Sequence, residues 1–384
     1  MNGPGATAPA YGVYVHFPFC AHRCPYCDFA VSTDRPLEQG RYLRAVLAEL
    51  TLRAPRFAGL RPVSLYVGGG TPSLWDPSEL TALVAALRAR LGLPPTAEVT
   101  IEANPESLDR GRVAAWRAAG VNRVSIGVQS FDPVVLRKLG RRHSAEDAAR
   151  AVEIAAATFA NVSVDLIYGA RHSTVATARA DAARAAALGA AHVSAYALTL
   201  DREVLAEEVP FARLSRAGKL AFPAEEEVLA QARAVRSALR RGGLRRYEVS
   251  NFARPGFESV HNALYWAGGS YLGLGAGAVG CLRGEAGGLR EANHREWPAW
   301  LEAVDAGRLP TAEEDRFDAR ADASERLMLA LRTGRGAPLE ALGEPARREV
   351  AALLRHRLAV VRGDRLVLTS RGLDLHSEIA ARLI

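Results

Sequence analysis

The chain has 384 residues, 49 Lys and Arg against 42 Asp and Glu, and a net charge of +7. That length allows two or three domains and a large core. Four cysteines are no disulfide scaffold, and no apolar run is long enough to span a bilayer. The basic excess is almost all Arg; only Lys138 and Lys219 are lysines. The arginines are spread through Ala-rich helical stretches, with no basic run interleaved with aromatics. A nucleic-acid partner is therefore not expected, whereas a face for an anionic partner is compatible with this charge. Residues 1–10 are rich in Gly, Pro and Ala and read as a disordered tail. They lack the charged and apolar regions of a signal peptide. The expected compartment is the cytoplasm, where thiols stay reduced.

In chain order, residues 13–16 read as a first strand. The loop after it holds Cys20, Cys24 and Cys27 in the spacing C-x3-C-x2-C. Three clustered thiolates suit an iron–sulfur cluster with one iron left open. The alternative is a zinc site completed by His16 or His22. Residues 36–53 read as a helix with Pro36 in its first turn. A second strand over 63–67 ends at Gly68-Gly69-Gly70-Thr71-Pro72. Asp76-Pro77-Ser78-Glu79 opens a helix to about residue 90, with a cap, an early Pro and an early acid. A third strand covers 98–103, and a helix over 109–119 stops at Gly120. The fourth strand is 123–127, Ser144 caps a helix to about 159, and the fifth strand is 162–167. A helix over 173–188 and a sixth strand over 192–197 follow.

Six strand–helix alternations imply a parallel sheet buried on both faces. A (β/α)6 partial barrel fits, with a doubly wound sheet as the second choice. Either fold gathers ligands at the carboxyl ends of its strands. The cysteine loop, Gly68–Gly70, Glu102, Gln129 and Asp165 all fall near such ends, so they are expected on one rim. Asp165 in an apolar strand needs a partner, and ribose hydroxyls would serve. Glu102 as a cap and Gln129 as a loop amide remain open readings.

Residues 200–216 read as irregular and acidic, and 223–241 as a helix closed by Gly242-Gly243. Residues 246–253 read as a seventh strand or edge. His261-Asn262-Ala263-Leu264-Tyr265-Trp266 comes next, then a Gly-rich run over 273–278 that lacks the Lys of a P-loop. Cys281 reads as a small buried hydrophobe. The first domain is expected over 11–304 and a polar linker over 305–318. A C-terminal domain over 319–384 has the order helix, helix, hairpin, helix, which is winged-helix-like.

The cysteine spacing, with Tyr26 before the last cysteine, resembles the signature of the radical S-adenosylmethionine (SAM) superfamily. That resemblance implies a [4Fe-4S] cluster whose open iron is chelated by SAM, and reductive cleavage of SAM to a 5′-deoxyadenosyl radical. From Tyr14-Val15-His16-Phe17-Pro18-Phe19-Cys20 through Gly68–Pro72, Ile101–Pro105, Gly127–Phe131 and Tyr196-Ala197-Leu198, the chain resembles the oxygen-independent coproporphyrinogen III oxidase-like group. The resemblance implies Cys20, Cys24 and Cys27 as cluster ligands. It implies Tyr14, Tyr26, Gly69, Gly70, Thr71, Glu102, Gln129, Arg141, Asp165 and Ala197 as the lining of a SAM site. Within the group the chain is similar to the heme chaperone HemW branch. Phe29 stands where the oxidases carry a fourth clustered cysteine, the N-terminal arm is short, and the branch's H-N-x-x-Y-W motif is matched from His261 to Trp266. The expected function is then heme binding and delivery to acceptor proteins, with an electron donor for the cluster and peripheral membrane contact possible through the acceptors. The alternative is oxidative decarboxylation of coproporphyrinogen III in porphyrin biosynthesis, which Phe29 disfavours. His261, Tyr265 and Trp266 are the expected heme contacts.

Overall fold

The computed structural model describes residues 8–33, 39–199 and 209–384. The tail over 1–7, the expected helix start at 36–38 and the acidic stretch at 200–208 lie outside the described residues. The first half alternates strand and helix. It runs β1 (Ala10–Phe17), α1 (Gln39–Arg53), β2 (Arg61–Gly69), α2 (Pro77–Leu91), β3 (Glu98–Ala103) and α3 (Arg110–Ala118). Then come β4 (Arg123–Gln129), α4 (Pro133–Lys138), α5 (Ala145–Ala156), β5 (Asn161–Tyr168), α6 (Val175–Ala187) and β6 (His192–Ala197). The caps follow from the sequence. Asp76 accepts from the Ser78 N–H at the start of α2, and Ser144 and Asp147 form a reciprocal box at the start of α5.

Strands β1 to β6 pair in parallel and in chain order, the (β/α)6 partial barrel. Both faces are buried, but only one is apolar. Val13, Val15, Leu65, Val67, Ile101, Val124 and Val164 pack under the helices in one large core. The intervening residues turn inward, and among them are Tyr66, Glu102, Ser125, Asp165 and Ser194. The strands therefore alternate apolar and polar residues although both faces are buried, because the barrel interior is a polar site and not a filled core.

The later elements are α7 (Pro210–Arg216), α8 (Glu225–Arg241), β7 (Arg245–Arg246), β8 (Asn251–Ala253), α9 (Val260–Trp266), β9 (Ser270–Leu274), β10 (Val279–Gly284), β11 (Gly287–Asn293), α10 (Trp297–Asp305) and β12 (Thr311–Asp318). Residues 210–216, expected as irregular chain, form α7 with Pro210 in its first turn. The expected seventh strand is two short ones, with β8 antiparallel to β6. At the other edge β9 joins β1 in parallel, and β10 to β12 continue antiparallel. The expected linker over 305–318 is largely β12. Its charged residues hide the strand because it is an edge with most side chains in water.

The C-terminal unit holds α11 (Ala319–Leu331), β13 (Ala337–Pro338), α12 (Glu344–Arg355), β14 (Ala359–Arg362), β15 (Arg365–Leu368), α13 (Ser370–Asp374) and α14 (His376–Leu383). The last two replace the single expected helix. The unit has its own apolar cluster, including Leu327, Leu331, Leu366 and Ile379. Asp374 anchors it to the barrel between Arg236 at 2.8 Å and Arg246 at 2.7 Å.

Candidate functional site

The cysteine loop is clamped at its base. The Cys20 N–H donates to Ser32 O at 2.9 Å and the Ser32 N–H to Pro18 O at 2.7 Å. The Gly70 and Thr71 N–H groups donate to Phe17 O and Phe19 O at 2.7 and 2.9 Å, which ties the loop to the end of β2. Gly70 is required by close approach. A Cβ there would lie 2.8 Å from Phe19 O and 3.0 Å from the Cys20 Sγ. The Thr71 hydroxyl donates to the Cys20 Sγ at 3.4 Å. Arg141 reaches Cys24 Sγ at 3.7 Å with one nitrogen, and Asn104 Oδ1 and Gly127 O at 2.7 and 3.0 Å with the other. His22 donates to Gly140 O at 2.8 Å.

All three thiols are free and rim one cavity of about 380 Å³. Among the described residues no three His, Cys, Asp or Glu side chains close on a point suited to a single ion. Burial pushes the Cys20 thiol up to about 11, so an ionised sulfur there calls for a metal's positive charge beside it. Three soft ligands around an open space fit an iron–sulfur cluster with one iron left for another ligand.

Tyr26, Gly69, Gly70, Thr71, Glu102, Gln129, Arg141, Asp165 and Ala197 all line this cavity with the cysteines. Gln129 has φ 67°, a left-handed backbone that costs a non-glycine residue on the order of 1–3 kcal/mol. The irregularity between Ile126 and Gln129 in the β4–β5 pairing accompanies it. Glu102 accepts from the Tyr66 hydroxyl at 2.7 Å and the Gly69 N–H at 3.1 Å. Asp165 accepts from the Ser125 hydroxyl at 3.1 Å. Burial pushes Glu102 up to about 7, against the pull of the Tyr66 hydrogen bond, and raises Asp165 as well.

Glu102 makes a pH prediction. Its raised folded value means its contribution to stability is present below the ordinary carboxyl value of 4.5 and is lost as pH rises through about 7. Glu102→Gln should flatten that decline between pH 5 and 8 in denaturant titrations of the metal-free chain. An unchanged slope would mean Glu102 ionises normally.

Sequence reasoning passed over Tyr66, Asn104, Arg123, Ser125, Ser194 and Asn262, which also line the cavity. Period two counted back from Gln129 points to Ser125 and Arg123. Arg123 is buried, and its Nε meets no partner.

Four expected site residues stand elsewhere. Tyr14 lines a second cavity of about 460 Å³ between β1, β9, β10, α9 and α11, and Phe29 borders both cavities. Tyr265 and Trp266 also line this second cavity. His261 lines neither, which corrects its expected role as a direct heme contact. It is 1% exposed, and its Nδ1 and Nε2 lie 2.9 Å from Ser64 Oγ and the Tyr265 hydroxyl. The carboxylate of Glu98 accepts from the N–H groups of Val260 and His261 and so holds α9 against the start of β3.

The description "Radical SAM superfamily" matches residues 14–184. The "Heme chaperone HemW" of Mycobacterium tuberculosis is 39% identical over 378 residues, which cover 97% of this chain and 95% of the relative. The chain belongs to the radical SAM heme chaperone family, HemW. A family relative from Lactococcus lactis is 31% identical over 97% of this chain and 96% of its own. The "Radical S-adenosyl methionine domain-containing protein 1, mitochondrial" of Bos taurus is 39% identical over 79% of this chain and 69% of its own length. The coproporphyrinogen III oxidase (HemN) of Escherichia coli superposes with a TM-score of 0.81 over 98% of this chain and 90% of its own. At 24% identity it shares the fold. No helix among the described residues is long and apolar enough to cross a membrane.

Proposed function

We propose that this chain is a heme chaperone that keeps a radical SAM cofactor site and passes heme to acceptor proteins. The observation that carries the reading is the pair of cavities meeting at Phe29, one rimmed by thiols and buried carboxylates, the other by aromatic rings. Cys20, Cys24 and Cys27 would hold the [4Fe-4S] cluster, with a separate electron donor as its partner. Tyr26, Gly69, Gly70, Thr71, Glu102, Gln129, Arg141, Asp165 and Ala197 hold SAM. When bound, cluster and SAM supply one-electron chemistry and a carbon radical. The protein's part is to exclude water, hold Arg141 beside Cys24, and offer Asp165 as an acceptor for sugar hydroxyls. The second cavity takes heme, with Phe29, Tyr265 and Trp266 against its faces. Membrane contact, where it occurs, comes through the acceptors.

Two measurements on the reconstituted protein test this. Heme should bind, and coproporphyrinogen III should survive incubation with SAM and reductant; its conversion to protoporphyrinogen IX would replace the chaperone with the oxidase. Asp165→Ala should weaken SAM binding by about tenfold or more while leaving iron content alone, since a hydrogen bond to a charged group contributes about 1.5–3 kcal/mol. The readout is the SAM-dependent change in the reduced cluster's EPR spectrum, and an unaltered SAM titration would remove Asp165 from the site.

A further inference from the structure

We propose that Tyr265 is the side chain that ligates the iron of heme, and that His261 and Ser64 behind it are positioning residues for its phenol. The inference rests on the heme reading above and assigns the iron ligand within it. A neutral imidazole has one N–H and one lone pair. Both His261 nitrogens are already engaged, by Ser64 at 2.9 Å and Tyr265 at 2.9 Å. The ring is also walled in. A Cβ on Gly12 would lie 3.0 Å from its Nδ1, and the Tyr66 ring is 5.2 Å away. No heme iron reaches that lone pair without dismantling the contact between α9 and the barrel.

Tyr265 follows His261 by four residues, one helical turn on, and stands in the wall of the second cavity. Tyrosine oxygen is an established type of heme ligand. Two other phenols face the same cavity, Tyr14 and Tyr271, and hydrogen-bond logic separates the three. His16 Nε2 lies 2.8 Å from Ala30 O, a carbonyl that only accepts, so the proton sits on Nε2 and the His16 Nδ1 is a lone pair. Tyr14, 3.0 Å from that Nδ1, must donate to it. A Tyr14 phenolate would set two lone pairs against each other. Behind Tyr265 the third group is a hydroxyl, which gives or accepts. When Ser64 donates to Nδ1, the His261 Nε2–H donates to the Tyr265 oxygen and supports it as a phenolate. Tyr271 accepts a hydrogen bond from Arg290, but that guanidinium is shared with Asp315 at 3.1 Å and Glu325 at 2.6 Å and is not devoted to the phenol.

The cavity lining also holds buried donors without a partner. Arg283 has a side chain 4% exposed that pairs with Asp322 and Glu325, yet its Nε has no partner. The buried Trp266 Nε1 has none either. Both residues line this cavity, a buried unsatisfied donor is costly enough to call for an acceptor, and a small shift of either side chain would bring its buried nitrogen to one. Heme propionates are acceptors of that kind. Ligation is a balanced exchange. The hydroxide carried by ferric heme in water takes the phenol proton and leaves as water, an iron–oxygen bond forms, and the iron stays ferric.

The test is a ferric heme titration of the full chain carrying its cluster, read by absorption and resonance Raman spectroscopy. The parent should show the bands of an iron-bound phenolate. Tyr265→Phe should lose those bands, whereas Tyr14→Phe and Tyr271→Phe should keep them. His261→Ala should keep the bands with affinity weakened by about 10- to 100-fold, the usual cost of losing a group behind a ligand. His261→Gln, which can still donate to the phenolate, should recover much of that loss. Circular dichroism and iron content establish that each variant is folded. Phenolate bands that persist in Tyr265→Phe, or that vanish in Tyr271→Phe alone, overturn the assignment. So does a parent spectrum of the imidazole type that disappears in His261→Ala, although heme binding itself would then stand. A parent that binds no heme overturns the reading beneath it as well.

Discussion

Replacing any one of Cys20, Cys24 or Cys27 by alanine should strip the chain of its iron, whereas Cys281→Ala should leave the iron in place. The three loop thiols rim one cavity, and Cys281 is not among its lining residues. Cys281 sits on β10 opposite Arg290 and Tyr271 in the extension of the sheet, 1% exposed. A three-cysteine cluster has no protein ligand to spare, so losing one exposes a second iron to solvent and chelators. The clamp at the loop base does not depend on sulfur, because the Cys20 and Ser32 backbone bonds and the ties to Gly70 and Thr71 are main-chain. The variants should therefore fold and remain soluble while losing colour. Anaerobic reconstitution should give the parent about four irons per chain, and iron and sulfide assays with the visible spectrum read the loss. Iron retained in Cys24→Ala, or lost in Cys281→Ala, would mean a different ligand set.

The barrel was legible because each of its strands is a β-branched run bounded by turn residues, and the caps at Asp76, Asp109 and Ser144 are local events. The cysteine cavity was legible for a related reason. Parallel strands end on one rim, so residues far apart in sequence converge there without any knowledge of packing. Its deeper lining needed the phase of the alternation, which the buried Ser125 and Arg123 show only once both faces are known to be covered. The second cavity was not legible. Its walls come from β1, α9, β9, β10 and α11, which meet only because β9 pairs in parallel with the far edge of the barrel. His261 and Tyr265 stand one helical turn apart on α9 and touch. Which of the two faces the cavity depends on how deeply α9 is docked, and Glu98 and Ser64 set that depth from elements far away in the chain. The family resemblance implies Tyr14 as part of the SAM site. Its hydroxyl instead turns to His16, two residues on along the same face of β1.

Glu49→Ala should be the most destabilising single substitution considered for the fold, by about 3–5 kcal/mol, the cost of breaking a buried pair from one side. The Glu49 carboxylate is fully buried on α1 and accepts four hydrogen bonds. Arg53 and Asn293 donate to Oε1 at 2.8 and 2.7 Å, and the Gly275 N–H and Trp300 Nε1 donate to Oε2 at 2.8 and 3.0 Å. Burial raises its pKa, and the Arg53 guanidinium pulls it back down. Those donors come from the turn after β9, the end of β11 and from α10. One carboxylate thus pins the sheet extension to the barrel, and that extension carries Tyr271, Val279 and Arg283 of the second cavity. Removing it leaves three buried donors without their acceptor and leaves Arg53 leaning on Glu291 at 3.2 Å. Glu49→Gln should cost nearly as much despite its shape, because its amide nitrogen would face a pair of donors where the carboxylate accepted from both. Denaturant titration of the two variants against the parent reads the loss, and heme affinity should fall with it as the extension loosens. A Glu49→Gln chain as stable as the parent would show that the network accepts a neutral group, and the pin between barrel and extension would then lie in the apolar packing of Trp300 and Tyr42, whose rings are 5.0 Å apart.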